Sequence, residues 1–114
     1  EADRVVKSIL SAEPRLPGSQ IRVEGGLNRP PMERTSKIAA AFQQVREAGQ
    51  RLGLQLSEAS TGGGSDGNFT AAIGATTIDG LGCTGDGAHA EHEHISLDGF
   101  VERTALLTEL ISTL

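Results

Sequence analysis

The alternation of hydrophobic and polar positions predicts three main helices in this chain. The first covers residues 2–13 and carries one apolar stripe at helical spacing, formed by Val5, Val6, Ile9 and Leu10. The second covers residues 35–52, begins with Thr35 or Ser36 as N-cap, and buries one face with apolar positions at Ile38, Phe42, Val45 and Leu52. The third begins near Asp98 and places on its inner face Leu107, Leu110, Ile111 and Leu114.

Short strands are predicted between these helices. Residues 19–24 alternate between apolar and charged side chains, which is typical of a half-buried strand. Residues 54–56, Leu-Gln-Leu, are predicted as a short strand, and residues 75–78 as a buried strand made of apolar residues and threonine. Pro14 and Pro17 end the first helix, and Gly53 ends the second. Helices that alternate with strands favour an α/β fold, here a layered sheet with flanking helices.

Composition narrows the classes of function. The chain has 114 residues, the size of one domain, and a formal net charge of -5 without a block rich in Lys or Arg. Neither nucleic acid nor an anionic membrane is therefore expected as a partner. No apolar run reaches the roughly 18 residues of a transmembrane helix. The single cysteine, Cys83, excludes an internal disulfide framework, and we expect it to be a small buried hydrophobe. It is compatible with a reducing compartment, and we expect a cytoplasmic protein.

A glycine-rich segment, Thr61-Gly-Gly-Gly-Ser65-Asp66, precedes a predicted short helix that runs to about Ile73. Glycines leave backbone N–H groups uncovered, so this turn, with Ser65 or Asp66 capping the helix, could bind a carboxylate or a phosphate. A plain tight turn is the alternative. No Gly-Lys-Ser/Thr follows, which excludes a P-loop, and the glycine spacing does not fit a dinucleotide-binding fingerprint.

All three histidines lie in one polar segment, DGAHAEHEH, from Asp86 to His94. Neutral imidazole is the commonest zinc ligand, and glutamate can join it. If the segment is extended, His92 and His94 share one face while His89 and Glu91 share the other. One loop could then hardly surround a single ion with all of them. The segment therefore indicates either a single histidine ligand or a polar surface loop.

Arg29 is a second candidate for carboxylate binding. It lies in the segment Asn28-Arg-Pro-Pro31, which follows a Gly-Gly turn. Residues before proline avoid the helical region, so this segment is stiff and extended. A guanidinium held in this way suits bidentate binding of a carboxylate. A lone surface arginine is the alternative.

Taken in order, three stretches of the chain resemble the C-terminal part of the M20 metallopeptidase family, in the carboxypeptidase G2-like group with glutamate carboxypeptidases and acetylornithine deacetylase. They are GGLNRPPMERT, TGGGSDGNFTAAIGATTIDGLG and GDGAHAEHEH, and with the flanking helices the resemblance covers nearly the whole chain. It implies that residues 1–27 are the end of a lid or dimerisation domain. Residues 28–114 would be the C-terminal part of a zinc-exopeptidase catalytic domain, and the parent protein would be a homodimer.

The resemblance also implies roles for four residues. His89 corresponds to the family's last zinc ligand, and Arg29 to the arginine that grips a substrate carboxylate. Gly63 and Gly64 correspond to the turn whose amides help to hold that carboxylate. The family binds two zinc ions, but its His-x-Asp motif, bridging aspartate and Glu-Glu pair have no counterpart in this sequence. No catalytic residue is assigned in this chain, and we do not expect the chain to form a complete zinc site.

We therefore expect the parent protein to be a zinc-dependent carboxypeptidase or deacylase that hydrolyses an amide bond next to a free carboxylate, in a small peptide or N-acyl amino acid. Zinc would polarise the carbonyl and generate hydroxide, while Arg29 and the glycine turn fix the substrate. Since the chain starts at Glu1 without a methionine, we expect a fragment that is inactive by itself. The alternative is a stand-alone, non-catalytic module that binds a small carboxylate.

Overall fold

Helices are the main regular elements of the computed structural model, which describes residues 1–113. Helix α1 spans Ala2–Leu10, α2 spans Ser36–Arg51, α3 spans Gly67–Ala72 and α4 spans Leu97–Thr113. Each of the three main helices lies where the hydrophobic pattern predicts it, although α1 is shorter than expected. None of the helices in the described range is both long and apolar enough to cross a membrane.

The two strands are short and pair with each other. Strand β1 at Gly85–Asp86 and strand β2 at His94–Ile95 run antiparallel, with Gly85 opposite Ile95 and Asp86 opposite His94. The chain divides into two compact units. Unit 1 comprises Glu1–Glu33 and Gly64–Ala75, and unit 2 comprises Arg34–Gly63 and the chain from Thr76 onward.

Both ends of α2 follow from local sequence. The Thr35 side chain accepts a hydrogen bond from the Ile38 amide at 3.3 Å, which satisfies one of the free N–H groups of the first turn. At the other end Gly53 has a φ of 75°, and the Leu54 amide donates to the Gly49 carbonyl at 2.8 Å. This is the helix stop that glycine favours. The predicted N-cap and the predicted stop are both confirmed.

The core of unit 2 lies between α2 and α4. Val45 and Ala48 of α2 pack with Leu106 and Leu110 of α4, and all four side chains are buried. Partly buried apolar side chains pack around them, namely Leu54, Leu56, Ile78 and Leu81. Removal of this apolar surface from water is the main force that holds the two helices together.

The buried face of α4 differs from the predicted one. Leu106, which the prediction left out, is fully buried, whereas Leu107 is 38% exposed and Ile111 is 75% exposed. Leu110 is the one predicted position that is buried, and Leu114 lies outside the described residues. Apolar side chains surround much of α4, so periodicity alone could not select the face. Packing against α2 selected it.

The predicted layered sheet is not seen in residues 1–113. Residues 19–24, 54–56 and 75–78 were each expected to be a strand and have no regular secondary structure, and the pair β1–β2 is the one sheet in the described part of the chain. A strand requires a neighbour that pairs with its backbone groups. None of these three segments belongs to the sheet in the described part of the chain, so they remain irregular.

Helix α1 of unit 1 carries its apolar stripe without packing it. The helix ends at Leu10 instead of residue 13, and none of its residues is buried. Val5, Ile9 and Leu10 are 48%, 55% and 47% exposed. Helical periodicity therefore predicted the helix correctly, but the apolar stripe of α1 is not buried within the described residues.

Candidate functional site

Arg29 lies in unit 1, against the start of α3. Its guanidinium carbon is 4.8 Å from the centroid of the Phe69 ring, which is within the range of a cation–π contact. Its Nη2 is 3.4 Å from Oδ1 of Asp66. The Arg29 side chain is 36% exposed. The arginine is thus anchored by its neighbours while part of it stays open to solvent.

Gly64 lies directly beside Arg29. A Cβ at position 64 would be 3.0 Å from Arg29 Cδ and 3.5 Å from Nη1, so any side chain there would press on the arginine. The Gly64 amide has no hydrogen-bond partner within residues 1–113. The Gly63 amide, by contrast, donates to Thr61 Oγ1 at 3.2 Å. Gly64 therefore lies beside the arginine with an amide that is free within residues 1–113, whereas the amide of Gly63 is already hydrogen-bonded within the turn.

Asn68 links the turn to the arginine segment. Its Nδ2 donates to the Pro30 carbonyl at 2.8 Å, and its Oδ1 accepts from the Ser65 amide at 2.9 Å. Ser65 Oγ in turn accepts from the Gly67 amide at 3.1 Å. Asp66 occupies the N-cap position of α3 without a side-chain cap hydrogen bond. Of the two predicted caps, Ser65 is the one that supplies a side-chain acceptor.

Asn68 and Phe69 were not predicted from the sequence as residues of this site. Both lie in the first turn of α3, directly after the glycine-rich segment. A signal was available, since Phe69 is one of 3 aromatic residues in the chain and follows a residue whose side chain both donates and accepts. Neither residue type points to carboxylate binding by itself, so only their contacts with residues 29 and 30 reveal them.

His89 lies in the loop that joins β1 to β2, in unit 2. Two successive turns shape this loop, closed by the Ala90 amide on the Gly87 carbonyl at 2.8 Å and the Glu93 amide on the Ala90 carbonyl at 3.0 Å. His89 is exposed and has a φ of 68°, in the left-handed region that few residues other than glycine adopt. The loop is therefore folded back and is not extended, so His92 and His94 are not placed on one face by simple alternation.

The other two histidines have contacts inside the hairpin. The His92 ring lies so close to Gly87 that a Cβ on the glycine would be 2.7 Å from His92 Cδ2. His94 Nδ1 is at hydrogen-bond distance, 2.9 Å, from the His92 carbonyl. His89 has no hydrogen-bond or ion-pair partner in the described part of the chain. Cys83, just before the hairpin, is exposed, so the expectation that it is buried was wrong.

The described residues do not assemble a metal site by themselves. Within residues 1–113, no three His, Cys, Asp or Glu side chains lie together in a way that could hold an ion. A catalytic zinc site takes about three protein ligands, and a structural site about four. The metal-ligating side chains of the described residues therefore do not fit a complete zinc site, and His89 could supply one ligand at most.

An ion pair in unit 2 holds the segment that leads into the glycine-rich turn. Arg34 donates from Nε and Nη2 to the two carboxylate oxygens of Glu58, each at 2.7 Å. These hydrogen bonds hold the pKa of Glu58 below its ordinary value and raise the pKa of Arg34. Because both side chains are exposed, the pair contributes little to stability.

Comparison with known proteins identifies one family. A family model described as peptidase family M20/M25/M40 matches residues 2–113. The matched range includes the arginine segment, the glycine-rich turn and the histidine loop. No curated protein and no solved structure matches the chain.

Proposed function

The chain belongs to the M20 peptidase family, and from that premise we propose that it supplies the carboxylate-binding part of a metal-dependent amidohydrolase. One observation carries the proposal. Arg29 stacks on Phe69 beside Gly64, with part of its side chain accessible. A planar fork of N–H donors held in this way suits a free carboxylate next to the amide bond that is hydrolysed.

Asp66 holds Arg29 only loosely, which leaves the arginine available to a ligand. The ion pair is long, at 3.4 Å, and the Asp66 side chain is 95% exposed. Exposed ion pairs contribute little to stability. A substrate carboxylate could therefore replace Asp66 on the guanidinium and accept a further hydrogen bond from the unengaged amide of Gly64. The substrates would be small peptides or N-acyl amino acids, as in carboxypeptidases and deacylases.

We further propose that His89 is one metal ligand of the complete enzyme, with zinc as the metal. Its imidazole is exposed and has no hydrogen-bond or ion-pair partner among residues 1–113, which leaves a ring nitrogen available for coordination. The other ligands and the general base would come from parts of the complete enzyme outside this chain. The 114-residue chain by itself is then expected to bind a carboxylate without hydrolysing an amide.

Titration of the 114-residue chain with N-acetylglycine, followed by NMR, tests the carboxylate site. We expect shifts at the Gly64 amide and at the Arg29 side chain. N-acetylglycinamide, which lacks the carboxylate, should produce none. Arg29→Gln should weaken binding about tenfold or more, because a hydrogen bond to a charged group is lost. Arg22→Gln is the matched control, since Arg22 is 87% exposed and pairs with Glu24, which is not a residue of the proposed site. Equal effects of the two variants would contradict the proposal.

A stand-alone carboxylate-binding module is the second candidate, favoured by a carboxylate site without a complete metal site among the described residues. The intact mass and metal content of the protein as isolated from its source separate the two. A mass several times that of an 11.9 kDa chain, with bound zinc, is expected for the hydrolase. A mass equal to that of this chain, without metal, would favour the module.

A further inference from the structure

Asn68 and Phe69 of α3 contact the segments that form the proposed carboxylate site but are not proposed to bind the carboxylate themselves. We infer that both are positioning residues, in which Phe69 sets the plane of the Arg29 guanidinium and Asn68 fixes the backbone that carries it. The inference rests on the proposed function, since it explains how Arg29 is prepared for its carboxylate.

Core burial does not account for the position of Phe69. The side chain is 41% exposed, and no residue of unit 1 is buried. Its defined contact is the ring with the Arg29 guanidinium, at 4.8 Å from the centroid. An arginine stacked on an aromatic ring keeps the N–H groups at its edge available. Bidentate binding of a carboxylate uses that same edge.

The contacts around Arg29 restrict a side chain that is otherwise flexible. The Phe69 ring lies against the guanidinium, and Gly64 lies beside Cδ. A free arginine samples many rotamers, and each must be given up when it binds a ligand. Holding the arginine in place before the ligand arrives reduces that loss. The expected consequence is tighter carboxylate binding.

Asn68 acts on the backbone next to both partners. Its donor group bonds the Pro30 carbonyl, one residue after Arg29, and its acceptor group bonds the Ser65 amide, one residue after Gly64. A carboxamide has a donor and an acceptor in one short side chain, which an aspartate at neutral pH lacks. Asn68→Asp therefore keeps the bond to Ser65 and loses the bond to Pro30.

The Arg29 Nε–Hε resonance reports the stacking directly. In the wild-type chain we expect the ring current of Phe69 to move this proton upfield. Phe69→Leu, which keeps an apolar side chain but removes the ring, should return it to its ordinary position, and Phe69→Tyr should restore the shift. Because Phe69 is not buried, these variants are expected to fold. An unshifted resonance in the wild type overturns the inference.

N-acetylglycine binding measures the consequence. Phe69→Leu should weaken binding about twofold to fivefold, the size of a partly exposed cation–π contact, and Phe69→Tyr should bind like the wild type. Asn68→Asp should also weaken binding. Phe100→Leu is the matched control, because Phe100 is likewise a half-exposed phenylalanine, at 52%, and lies in unit 2. Wild-type affinity in both Phe69→Leu and Asn68→Asp would overturn the inference.

Failure of the inference is distinguishable from failure of the proposed function. If N-acetylglycine does not bind while the Arg29 resonance shifts with the ring, Arg29 is positioned as inferred and its proposed ligand is wrong. If binding depends on Arg29 but not on Phe69 or Asn68, the carboxylate site stands and the positioning role is rejected.

Discussion

At the residue scale, Gly64 is glycine because of space and not because of backbone conformation. Its φ is outside the positive range that Gly53 and Gly74 adopt. What a side chain would meet is Arg29, with Cδ at 3.0 Å from the added Cβ. The missing side chain therefore lets the arginine lie against the turn. The proposed role of Gly64 therefore depends on its contact with Arg29 as well as on its backbone amide.

Gly64→Ala is expected to weaken N-acetylglycine binding about threefold or more, because the arginine must move by a few tenths of an ångström from its binding position. The unfolding free energy should change by less than about 0.5 kcal/mol, since a flexible surface side chain can give way. NMR titration and urea unfolding measure the two quantities.

Gly62→Ala is the matched control for this substitution. An added Cβ at position 62 meets nothing within 4 Å, and the backbone is not in the left-handed region. Binding should stay at the wild-type level. An equal loss in the two variants would show that the turn, and not the contact with Arg29, decides binding.

His89 shows a different kind of constraint at the same scale. A φ of 68° costs energy for a residue with a side chain, and it persists only where the surrounding structure imposes it. His89 lies inside the turn that the Ala90 amide closes on the Gly87 carbonyl, and this turn imposes it here. The proposed ligand is therefore held by the loop, although it makes no hydrogen bond within residues 1–113.

At the element scale, the β1–β2 hairpin depends on close approach of two backbones. A Cβ on Gly85 would overlap the carbonyl oxygen of His94 on the paired strand. The Ser96 amide extends the pairing by donating to the Thr84 carbonyl at 2.8 Å. Since the hairpin carries the loop of His89, its register determines where the imidazole is presented.

Gly85→Ala is expected to disrupt this hairpin and to lower the unfolding free energy of the chain by about 1–3 kcal/mol, because the added atom meets backbone that cannot move aside. Hydrogen exchange of the Ser96 amide should accelerate. Gly82→Ala is the control, as its Cβ meets nothing within 4 Å. Unchanged exchange at Ser96 in Gly85→Ala would contradict the close approach.

At the scale of the whole molecule, the stability of the described chain is concentrated in unit 2. The four core side chains belong to α2 and α4, whereas no residue of unit 1 is buried. Unit 1 is organised instead by hydrogen bonds, the ion pair and the stacking around Arg29. The division into lid and catalytic domains, the homodimer and the cytoplasmic location stay predictions.

Leu106→Ala is expected to lower the unfolding free energy by about 2–5 kcal/mol, because it leaves a cavity between α2 and α4. Ile111→Ala, at a position that is 75% exposed, should cost less than about 0.5 kcal/mol. Urea unfolding followed by circular dichroism measures both. A larger loss of unfolding free energy in Ile111→Ala than in Leu106→Ala would show that α4 packs with the face that periodicity predicts.

Features that depend on neighbours within one or two turns could be predicted from the sequence. The N-cap at Thr35, the stop at Gly53 and the start of α4 at Leu97, next to the predicted Asp98, all follow from local hydrogen bonding and backbone preference. The motifs around Arg29 and His89 likewise indicated the family that the chain belongs to.

Features that depend on partners distant in the sequence could not be predicted and are set by tertiary packing. The side chains of α4 that are buried were selected by packing against α2, and residues 19–24, 54–56 and 75–78 lie outside the one sheet of the described residues. Asn68 reaches a carbonyl 38 residues away, at Pro30. Periodicity and propensity describe a segment and its neighbours, so they contain no information about such pairings.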